Sequence, residues 1–292
     1  MGNGSSTGPK VHLGWETQYL LIKNSVGGAT QNWRLLDSMR GLDYGGAADQ
    51  RLYPSQNSTE SASEIIDLYN TGFQLKTTDA SVNGNGEEYI YIAIRTPDGD
   101  VGKPPIAASK SFAMDYGNGS GDIPSYASTF PVHYGLEKYY NTTYDWWSSS
   151  RITGGTYVRP SNANSQSGPN SDYCWDSMVG YVGATWANSN AIAYMWRRGK
   201  GINVVPYTGN GTAGRQLSHG LSQNPQMIWI KSRTSGASWA TYHFGYGGGT
   251  NPSHYTIGTN ETDAEINAAD IWHDTEPTSK FFTIGDSARV NT

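Results

Sequence analysis

The 292 residues carry a formal net charge of -5, and only 15% of them are charged. Because an acidic chain without a basic stripe does not attract phosphate groups, the composition argues against nucleic acid as a ligand. No run approaches the about 18 consecutive apolar residues that a membrane-spanning helix needs, so membrane insertion is not expected. The single cysteine, Cys174, rules out an internal disulfide and a zinc site built from cysteines.

The first part of the chain predicts a β-hairpin. Residues 19–23 form a short apolar run of the kind found in strands. A glycine-rich turn at residues 26–29 leads to a second such run, residues 32–37, which contains Trp33. Two apolar runs joined by a short loop with glycine are typical of a hairpin.

A second hairpin is predicted from residues 65–69 and 72–75. Residues 61–68 also fit one or two turns of helix, and almost no other stretch shows helical periodicity. The sequence Asn-Gly-Asn-Gly at residues 83–86 is a strong turn signal. Residues 89–94 after this turn are the most strand-like run in the chain.

Two later stretches repeat this order of elements. In the second stretch the corresponding runs are residues 145–151, 175–181 and 191–196, the last being a closing strand like residues 89–94. In the third stretch the two predicted hairpins are residues 227–231 with 238–243 and residues 271–274 with 281–285.

The tripeptide Gly-Asn-Gly occurs three times, centred on Asn3, Asn118 and Asn210, ahead of the corresponding strands. Such self-similarity indicates one unit built three times. Because the strands are short and the turns frequent, we predict an all-β chain of three tandem antiparallel β-sandwich modules, jelly-roll or concanavalin-like. The modules are residues 1–96, 112–198 and 199–292, and a linker rich in Pro and Gly occupies residues 97–111.

Two of the predicted modules each lack one strand. The third module stops before a counterpart of residues 87–93, and the first starts without a counterpart of residues 112–116 and 204–207. A missing strand exposes an edge that another strand can join. Either the sequence is a section of a longer repeat polypeptide, which we favour, or a neighbouring chain supplies the strand. A mass near 31.7 kDa for the intact protein would contradict the first explanation.

Aromatic side chains are the most suggestive binding groups in the sequence. Five of them cluster in one short stretch, namely Tyr139, Tyr140, Tyr144, Trp146 and Trp147. Exposed aromatic rings can stack on sugar rings while Asn and Ser neighbours supply hydrogen bonds, so the cluster is a candidate glycan site. The alternative is that alternate members fill the sandwich core, because large aromatic side chains are mainly core and interface residues.

Two acidic, glycine-rich turns are candidate calcium sites. Their oxygen-bearing side chains are Asp98 and Asp100 in one turn and Asp115, Asn118 and Asp122 in the other. Such oxygen ligands suit Ca²⁺, but neither turn has the EF-hand spacing with its terminal Glu. Asx-turns explain the same residues without a metal, so no cofactor is expected.

No pattern of catalytic residues is present. His12, His133 and His219 lack metal-ligand spacing and stand at similar places ahead of the first strand of their modules, which favours a structural or turn-capping role. The paired carboxylates that a glycosidase would need are available at Glu60 with Glu64, Glu87 with Glu88, and Asp263 with Glu265. None of these pairs lies in a recognisable motif, so we do not expect an enzyme.

Several stretches resemble a repeat of long bacteriophage polypeptides. In the third module they are residues 207–211 (Tyr-Thr-Gly-Asn-Gly), 217–221 (Leu-Ser-His-Gly-Leu), 225–231 (Pro-Gln-Met-Ile-Trp-Ile-Lys) and 271–279 (Ile-Trp-His-Asp-Thr-Glu-Pro-Thr-Ser). Elsewhere they are residues 20–23, 32–33, 37–41, 84–93, 95–105 and 130–132. Over nearly its whole length the chain is similar to these virion and tail-fibre-like proteins, which are described as uncharacterised or concanavalin-like.

The resemblance implies a virion structural protein, part of a tail fibre or surface appendage, that presents β-sandwich modules for attachment to host-surface glycan. Its partners would be other virion proteins, and it would lie on the particle surface, as a homo-oligomer or with strands exchanged between neighbouring chains. The shared motifs mark turns and core positions, so no catalytic residue is carried over. Two other functions stay open: a capsid decoration or stalk protein without a ligand, and a glycan-degrading enzyme.

Overall fold

The computed structural model describes residues 1–26, 31–38, 40–45, 48–95, 108–120, 122–170, 173–183, 189–199 and 201–292. These residues are mostly β, with few and short helices and several antiparallel sheets, so the all-β prediction is confirmed. We call residues 1–95 the first segment, 108–199 the second and 201–292 the third. Most of the predicted linker and of the turn at residues 26–29 lies outside the described residues. In the described part of the chain, no helix has the length and apolar character to cross a membrane.

The described residues of the first segment form two antiparallel sheets. Its elements are β1 (Lys10–His12), β2 (Thr17–Asn24), β3 (Arg34–Asp37), β4 (Asp49–Leu52), β5 (Ser61–Ser63), β6 (Ile66–Tyr69), β7 (Gly72–Leu75), α1 (Ala80–Asn83) and β8 (Tyr89–Arg95). One sheet has the order β5-β4-β3-β2-β8, and the other has the order β1-β7-β6. Both predicted hairpins are present, as β2 with β3 and β6 with β7.

Alternation along β2 decides which face of the five-stranded sheet is buried. Leu20 and Ile22 are buried, as is Leu36, which lies opposite Leu20 on β3, whereas Leu21 is only half-buried. Successive residues of a strand point to opposite faces, so the buried set forms one side of the sheet. These side chains belong to the same hydrophobic cluster as Phe73 of the three-stranded sheet, which places the core of this segment between its two sheets.

The stretch that also fitted a helix is not helical. Residues 61–63 and 66–69 are strands β5 and β6 of different sheets. Between them, the carboxylate of Asp49 accepts hydrogen bonds from the backbone N–H groups of Ile65 and Ile66, at 2.6 and 2.8 Å. These bonds satisfy two buried donors where the chain passes from one sheet to the other, which stabilises the extended crossing over a helical turn.

Asp49 itself is almost fully buried, with 1% of its surface exposed. Burial raises the pKa of its carboxyl to about 7, a rise that the two backbone hydrogen bonds oppose and the charges of Asp43 and Asp67 support. Between the ordinary value of 3.8 and about 7, the folded state keeps a proton that the unfolded state has lost. Stability therefore falls as the pH rises through this window, by at most about 4 kcal/mol.

We expect Asp49→Asn to flatten the decline of the unfolding free energy between about pH 4 and pH 7, because Asn offers the same oxygen acceptor without a charge. Urea unfolding at several pH values measures this slope. Asp263→Asn, at an exposed position, is the matched control and should leave the slope unchanged. An Asp49→Asn variant with the wild-type slope would show that this carboxyl does not hold a proton in the folded state.

The second segment contains one large sheet and one pair of short strands. Its elements are β9 (Phe112–Tyr116), β10 (Tyr126–Ala127), β11 (Tyr134–Tyr139), β12 (Trp147–Ser150), β13 (Tyr157–Val158), β14 (Gly180–Tyr181) and β15 (Ala191–Trp196), with 3-10 helices at Ala108–Lys110 and Arg151–Thr153. The large sheet has the order β13-β12-β11-β15-β9, and β10 pairs with β14. The predicted closing strand is β15, which lies between β11 and β9. The rings of Trp175 and Tyr181, with centroids 4.8 Å apart, stack in the core of this segment.

The third segment contains three two-stranded sheets. Its elements are β16 (Arg215–Ser218), β17 (Met227–Ile230), β18 (Ala240–His243), β19 (Tyr255–Thr256), β20 (Ile266–Asn267), α2 (Ala269–Trp272) and β21 (Phe281–Ile284), with 3-10 helices at Tyr246–Gly249 and Pro252–His254. The pairs are β16 with β21, β17 with β18, and β19 with β20. The predicted hairpin of residues 227–231 and 238–243 is confirmed.

The second hairpin predicted for the third segment is wrong. Ile271 and Trp272 lie in α2, and β21 pairs with β16 instead. Both side chains are almost fully buried. Adjacent residues of a strand point to opposite faces, whereas adjacent residues of a helical turn can both face one core. The run Ile-Trp therefore fits a helical turn better than a strand at this site.

The Gly-Asn-Gly tripeptides form the same turn in all three segments. The side-chain oxygens of Asn3, Asn118 and Asn210 accept a hydrogen bond from the N–H two residues ahead, at 3.0, 2.9 and 3.1 Å. The glycine after each Asn has a positive φ, at 63°, 71° and 66°, which L residues other than glycine rarely adopt. The tripeptide is therefore an Asx-turn.

In the first and third segments this turn is fastened to a buried asparagine. The N–H of Asn3 donates to Oδ1 of Asn83, and the N–H of Asn210 donates to Oδ1 of Asn291, both at 2.9 Å. A Cβ added to Gly209 would lie 2.3 Å from the carbonyl oxygen of Thr292, so only glycine fits the close approach. The motif thus ties the start of the first segment to Asn83 and the start of the third segment to Asn291.

Candidate functional site

The outer face of the five-stranded sheet in the second segment is rich in exposed aromatic side chains. Along β15, Ala191, Ala193 and Met195 are buried, so the residues between them point to the other face. On this face, Trp196 of β15 lies opposite Phe112 of β9 on one side and opposite Tyr134 of β11 on the other. Their rings touch, with centroids 5.2 and 5.4 Å from that of Trp196.

We call this surface the aromatic face. It consists of Phe112, Met114, Tyr116, Tyr134, Tyr140, Trp146, Tyr194 and Trp196. Tyr116 and Tyr140 are 57% and 55% exposed and meet edge to face, with centroids 5.7 Å apart. Large apolar groups that stay in water on a folded surface often mark a binding site.

The structure divides the five aromatic residues predicted as a glycan site. Trp146 lies against Tyr194 on the aromatic face, with centroids 6.1 Å apart, and the Lys138 ammonium lies 5.9 Å from the Trp146 ring. Tyr140 joins the same face through Tyr116. Two of the five therefore belong to the aromatic face, Tyr140 exposed and Trp146 half-buried.

Tyr139 and Trp147 lie on the other side of the sheet. Trp147 is opposite the buried Glu137 in the register, and Tyr139 packs against the core. Their rings meet edge to face at 5.7 Å. Tyr144, which is 62% exposed, caps this pair at the sheet edge, 5.5 Å from Tyr139. Part of the aromatic cluster therefore lies on the outer face, as a glycan site requires, and part packs toward the core.

Polar groups border Trp146. The Asp145 carboxylate accepts hydrogen bonds from the Ser161 hydroxyl and the Asn162 amide, at 2.8 and 2.9 Å. The backbone N–H of Trp146 donates to the Ser161 hydroxyl at 3.2 Å. This network holds the backbone of Trp146 in place and brings neutral and acidic hydrogen-bonding groups close to that backbone.

The described members of the predicted calcium sites are engaged in hydrogen bonds within the protein. Asp115 accepts a hydrogen bond from the N–H of Ala127 at 2.7 Å, and Asp122 accepts one from the hydroxyl of Ser120 at 2.7 Å. Asp98 and Asp100 lie outside the described residues. Within the described ranges, no group of three or more His, Cys, Asp or Glu side chains is arranged to hold a metal ion.

A second cluster of ionisable groups lies where the first and second segments meet. Glu16 of the first segment forms a buried ion pair with Arg198 of the second. His133 is buried nearby, and burial together with Arg151 and Arg198 holds the pKa of its imidazole well below the usual value. Glu16, His133 and Arg198 line a cavity of only about 10 Å³, which has room for about one water molecule and not for a substrate.

Of the three histidines expected to have a structural or turn-capping role, His219 makes the contacts of a turn cap. The Nδ1 atom of His219 accepts the N–H of Leu221 at 3.2 Å, and its Nε2 lies 2.9 Å from the carbonyl oxygen of Thr278. His219 therefore caps a turn. His12 is exposed on β1.

Sequence reasoning missed most of the aromatic face. It found Tyr140 and Trp146, because they lie in a dense aromatic run, but not Phe112, Tyr116 or Trp196. The signal was present as period-two alternation in β9 and β15. Only the register between the two strands shows that their outward-facing residues form one surface.

Comparison with protein families gives a match over most of the chain. The family is described as a domain of unknown function (DUF7483), and it matches residues 1–96 and 150–292. No curated protein and no solved structure matches the chain.

Proposed function

We propose that this chain, which belongs to the DUF7483 family, is a non-enzymatic structural protein of a phage virion that contacts host-surface glycan through the aromatic face. The observation that carries the proposal is a set of exposed and half-buried rings on one face of a sheet. A sheet holds side chains at fixed spacing, so the rings are pre-organised for a ligand with flat apolar faces.

The chemistry of the face suits a neutral glycan. Tyr116 and Tyr140 offer both a ring and a hydroxyl, and Trp146 offers a large ring whose backbone N–H is bonded to the hydroxyl of Ser161. Sugar rings present C–H groups that pack on aromatic rings and hydroxyls that bond with such neighbours. The low charged fraction of the chain, 15%, agrees with a ligand that is recognised without strong charge pairing.

The placement in a virion is supported by the repeated design. We propose that the three segments are tandem β-sandwich modules, since each has its own hydrophobic cluster and the same Gly-Asn-Gly turn. The cluster of the first segment also receives Ile152 of the second and Val204 of the third, so the modules would pack against one another. A stiff array of this kind suits a tail fibre or surface appendage, where many weak contacts act together.

We expect the purified protein to bind one or more host-surface polysaccharides on a glycan array, and Trp146→Ala with Tyr140→Ala to weaken that binding at least about tenfold. Each lost stacking contact removes apolar contact with the sugar. Phe244→Ala is the control, because Phe244 is an aromatic residue of the third segment that is about as exposed as Tyr140. Circular dichroism checks that each variant stays folded.

Three other outcomes would contradict the proposal in different ways. Binding that survives the double substitution would move the site elsewhere on the molecule. Blank arrays together with a blank host-cell pull-down would favour a decoration or stalk protein. New reducing ends on incubation with host polysaccharide would identify a glycan-degrading enzyme.

A further inference from the structure

A cavity of about 420 Å³ lies where the three segments meet. The first segment contributes Tyr44 and Gly45, the second contributes Gln166, and the third contributes residues 205–209, 230–234 and 289–292. Binding sites for small molecules have volumes of about 300–1,000 Å³ and often lie between domains, so the cavity has room for one small ligand. None of these residues belongs to the aromatic face.

The walls of this cavity carry positive charge. Lys231, Arg233 and Arg289 line it, and none of the described residues that line it is Asp or Glu. Arg289 is already paired with Glu261, at 3.0 Å. Lys231 and Arg233 form no ion pair with a carboxylate in the described part of the chain. Two cations therefore line the cavity without a counter-ion.

Both of these cations are half-buried. Burial lowers the pKa of the Lys231 ammonium and of the Arg233 guanidinium. Asp67 is near enough to oppose the shift at Arg233, but it already pairs with Lys76, at 3.3 Å. Because lost hydration is what disfavours the two charged forms, an anion that enters the cavity stabilises them in place of water.

The guanidinium of Arg233 is held in place by the other two segments. It lies over the ring of Tyr44 of the first segment, with Cζ 5.1 Å from the ring centroid, and its Nε donates to the side-chain oxygen of Gln166 of the second. The backbone N–H of Gln166 also donates to the carbonyl oxygen of Arg233, at 2.8 Å. A planar group that is fixed beforehand loses little further freedom when a ligand binds.

The terminal nitrogen atoms of Arg233 have no acceptor among the described residues, since Gln166 binds only Nε. Gly45 lies beside them in the wall of the cavity. A Cβ added to Gly45 would be 3.8 Å from Nη1 and 3.9 Å from Nη2, so the glycine leaves this edge of the guanidinium uncovered. The two nitrogen atoms form the fork that binds two oxygen atoms of a carboxylate, sulfate or phosphate.

The rest of the cavity suits a ligand with hydroxyl groups. Other side chains in its walls carry hydroxyl or apolar groups, namely Thr208, Ser232, Thr234, Val205, Pro206 and Ile230. Hydroxyl groups exchange hydrogen bonds with those of a ligand, and apolar groups pack on its C–H groups. The Nζ of Lys231 donates to the carbonyl oxygens of Ser232 and Ser235, at 2.8 and 3.1 Å, and an ammonium has three protons to donate.

We propose that this cavity binds a small hydroxylated molecule that carries one oxyanion group, which is a carboxylate, a sulfate or a phosphate. An acidic sugar unit is a molecule of this class. The oxyanion bonds to Nη1 and Nη2 of Arg233, Lys231 supplies the second positive charge, and the hydroxyl groups of the ligand bond to those of the walls. The site is separate from the aromatic face, and the inference does not rest on the proposed function.

Titration of the full chain with galacturonate, galactose 6-sulfate and galactose 6-phosphate, each compared with neutral galactose, tests the proposal. We expect at least one of the three acids to bind with one-to-one stoichiometry in isothermal titration calorimetry, and galactose to bind at least about tenfold more weakly. The acid that binds most tightly identifies the oxyanion. Binding of galactose as tight as that of the acids, or no binding of any acid at millimolar concentration, would overturn the proposal.

Substitutions of the two cations place the binding on the molecule. Arg233→Gln should weaken binding of the acid at least about tenfold, and Arg233→Lys, which keeps the charge without the fork, should restore only part of the affinity. Lys231→Gln, which leaves the contacts of Arg233 in place, should also weaken binding and serves as the test if Arg233→Gln does not fold. Lys280→Gln removes an exposed charge of the third segment and is the control. Wild-type affinity in the Arg233→Gln and Lys231→Gln variants would overturn the proposal.

Nuclear magnetic resonance separates this site from the aromatic face. In the ¹⁵N-labelled protein, the Nε–H signal of Arg233 should shift with saturation as the acid is added, while the indole N–H signal of Trp146 stays in place. A shift of Trp146 without a shift of Arg233 would assign the acid to the aromatic face and would contradict a site in the cavity.

Discussion

Replacing Glu16 by Ala is expected to lower the free energy of unfolding by about 3–5 kcal/mol. Glu16 and Arg198 are both buried, and the carboxylate forms an ion pair with the guanidinium across 182 positions of sequence. Arg151 is buried beside them, where desolvation lowers its pKa to about 10 and the charge of Glu16 opposes that shift. Removing Glu16 leaves the buried guanidinium groups of Arg198 and Arg151 without the carboxylate that balances their charge.

Thermal and urea unfolding measure the loss, and Glu88→Ala, at an exposed position, is the matched control. The double variant Glu16→Met with Arg198→Met should recover most of the lost stability, because replacing both partners leaves no unpaired charge. The result that would contradict this account is a loss below about 1 kcal/mol for Glu16→Ala, which is the size expected of an ion pair in water.

Replacing Asn83 or Asn291 by Ala is expected to cost about 3 kcal/mol each. Asn83 is fully buried, accepts the N–H of Asn3, and donates to the carbonyl oxygens of Ser5 and Thr77, both at 2.8 Å. Alanine leaves all three of these backbone groups without their partner. The loss follows from several buried polar groups that become unsatisfied at once.

Asn291 makes the same contacts in the third segment. It accepts the N–H of Asn210 and donates to the carbonyl oxygens of Thr212 and Gly285, at 2.9 and 2.7 Å. Hydrogen exchange should therefore locate the damage of Asn83→Ala in the first segment and that of Asn291→Ala in the third. Asn85→Ala, at an exposed position of the first segment, is the control. Equal loosening of both segments by either variant would contradict two independent copies of the clamp.

The sequence predicted the β-character and several pairings because those depend on local patterns. The alternation around Leu20 and Ile22 and the turn before Gly72 are enough to predict the hairpins that the structure contains. The two stretches whose secondary structure differs from the sequence pattern, around Ile65 and Ile271, depend on contacts with distant residues. Ile65 is extended because Asp49 binds its N–H, and Ile271 is helical because its neighbour Trp272 is buried on the same side.

The candidate site was predictable only in part. Tyr140 and Trp146 stand out as members of an aromatic run, but which face each ring occupies depends on strand register. Trp147 turns inward because it lies opposite Glu137, whereas Trp146, one residue earlier, reaches the outer face. The pairing of Glu16 with Arg198 has no local signature at all, because it is made by the packing of two segments.

Titration of the ¹⁵N-labelled protein with a glycan that it binds tests the aromatic face most directly, through the indole N–H signals of its tryptophans. The account predicts that the Trp146 signal shifts with saturation while the signals of the buried Trp239 and Trp272 stay in place. A titration in which Trp146 does not move, or in which only Trp229 of the third segment moves, would contradict it.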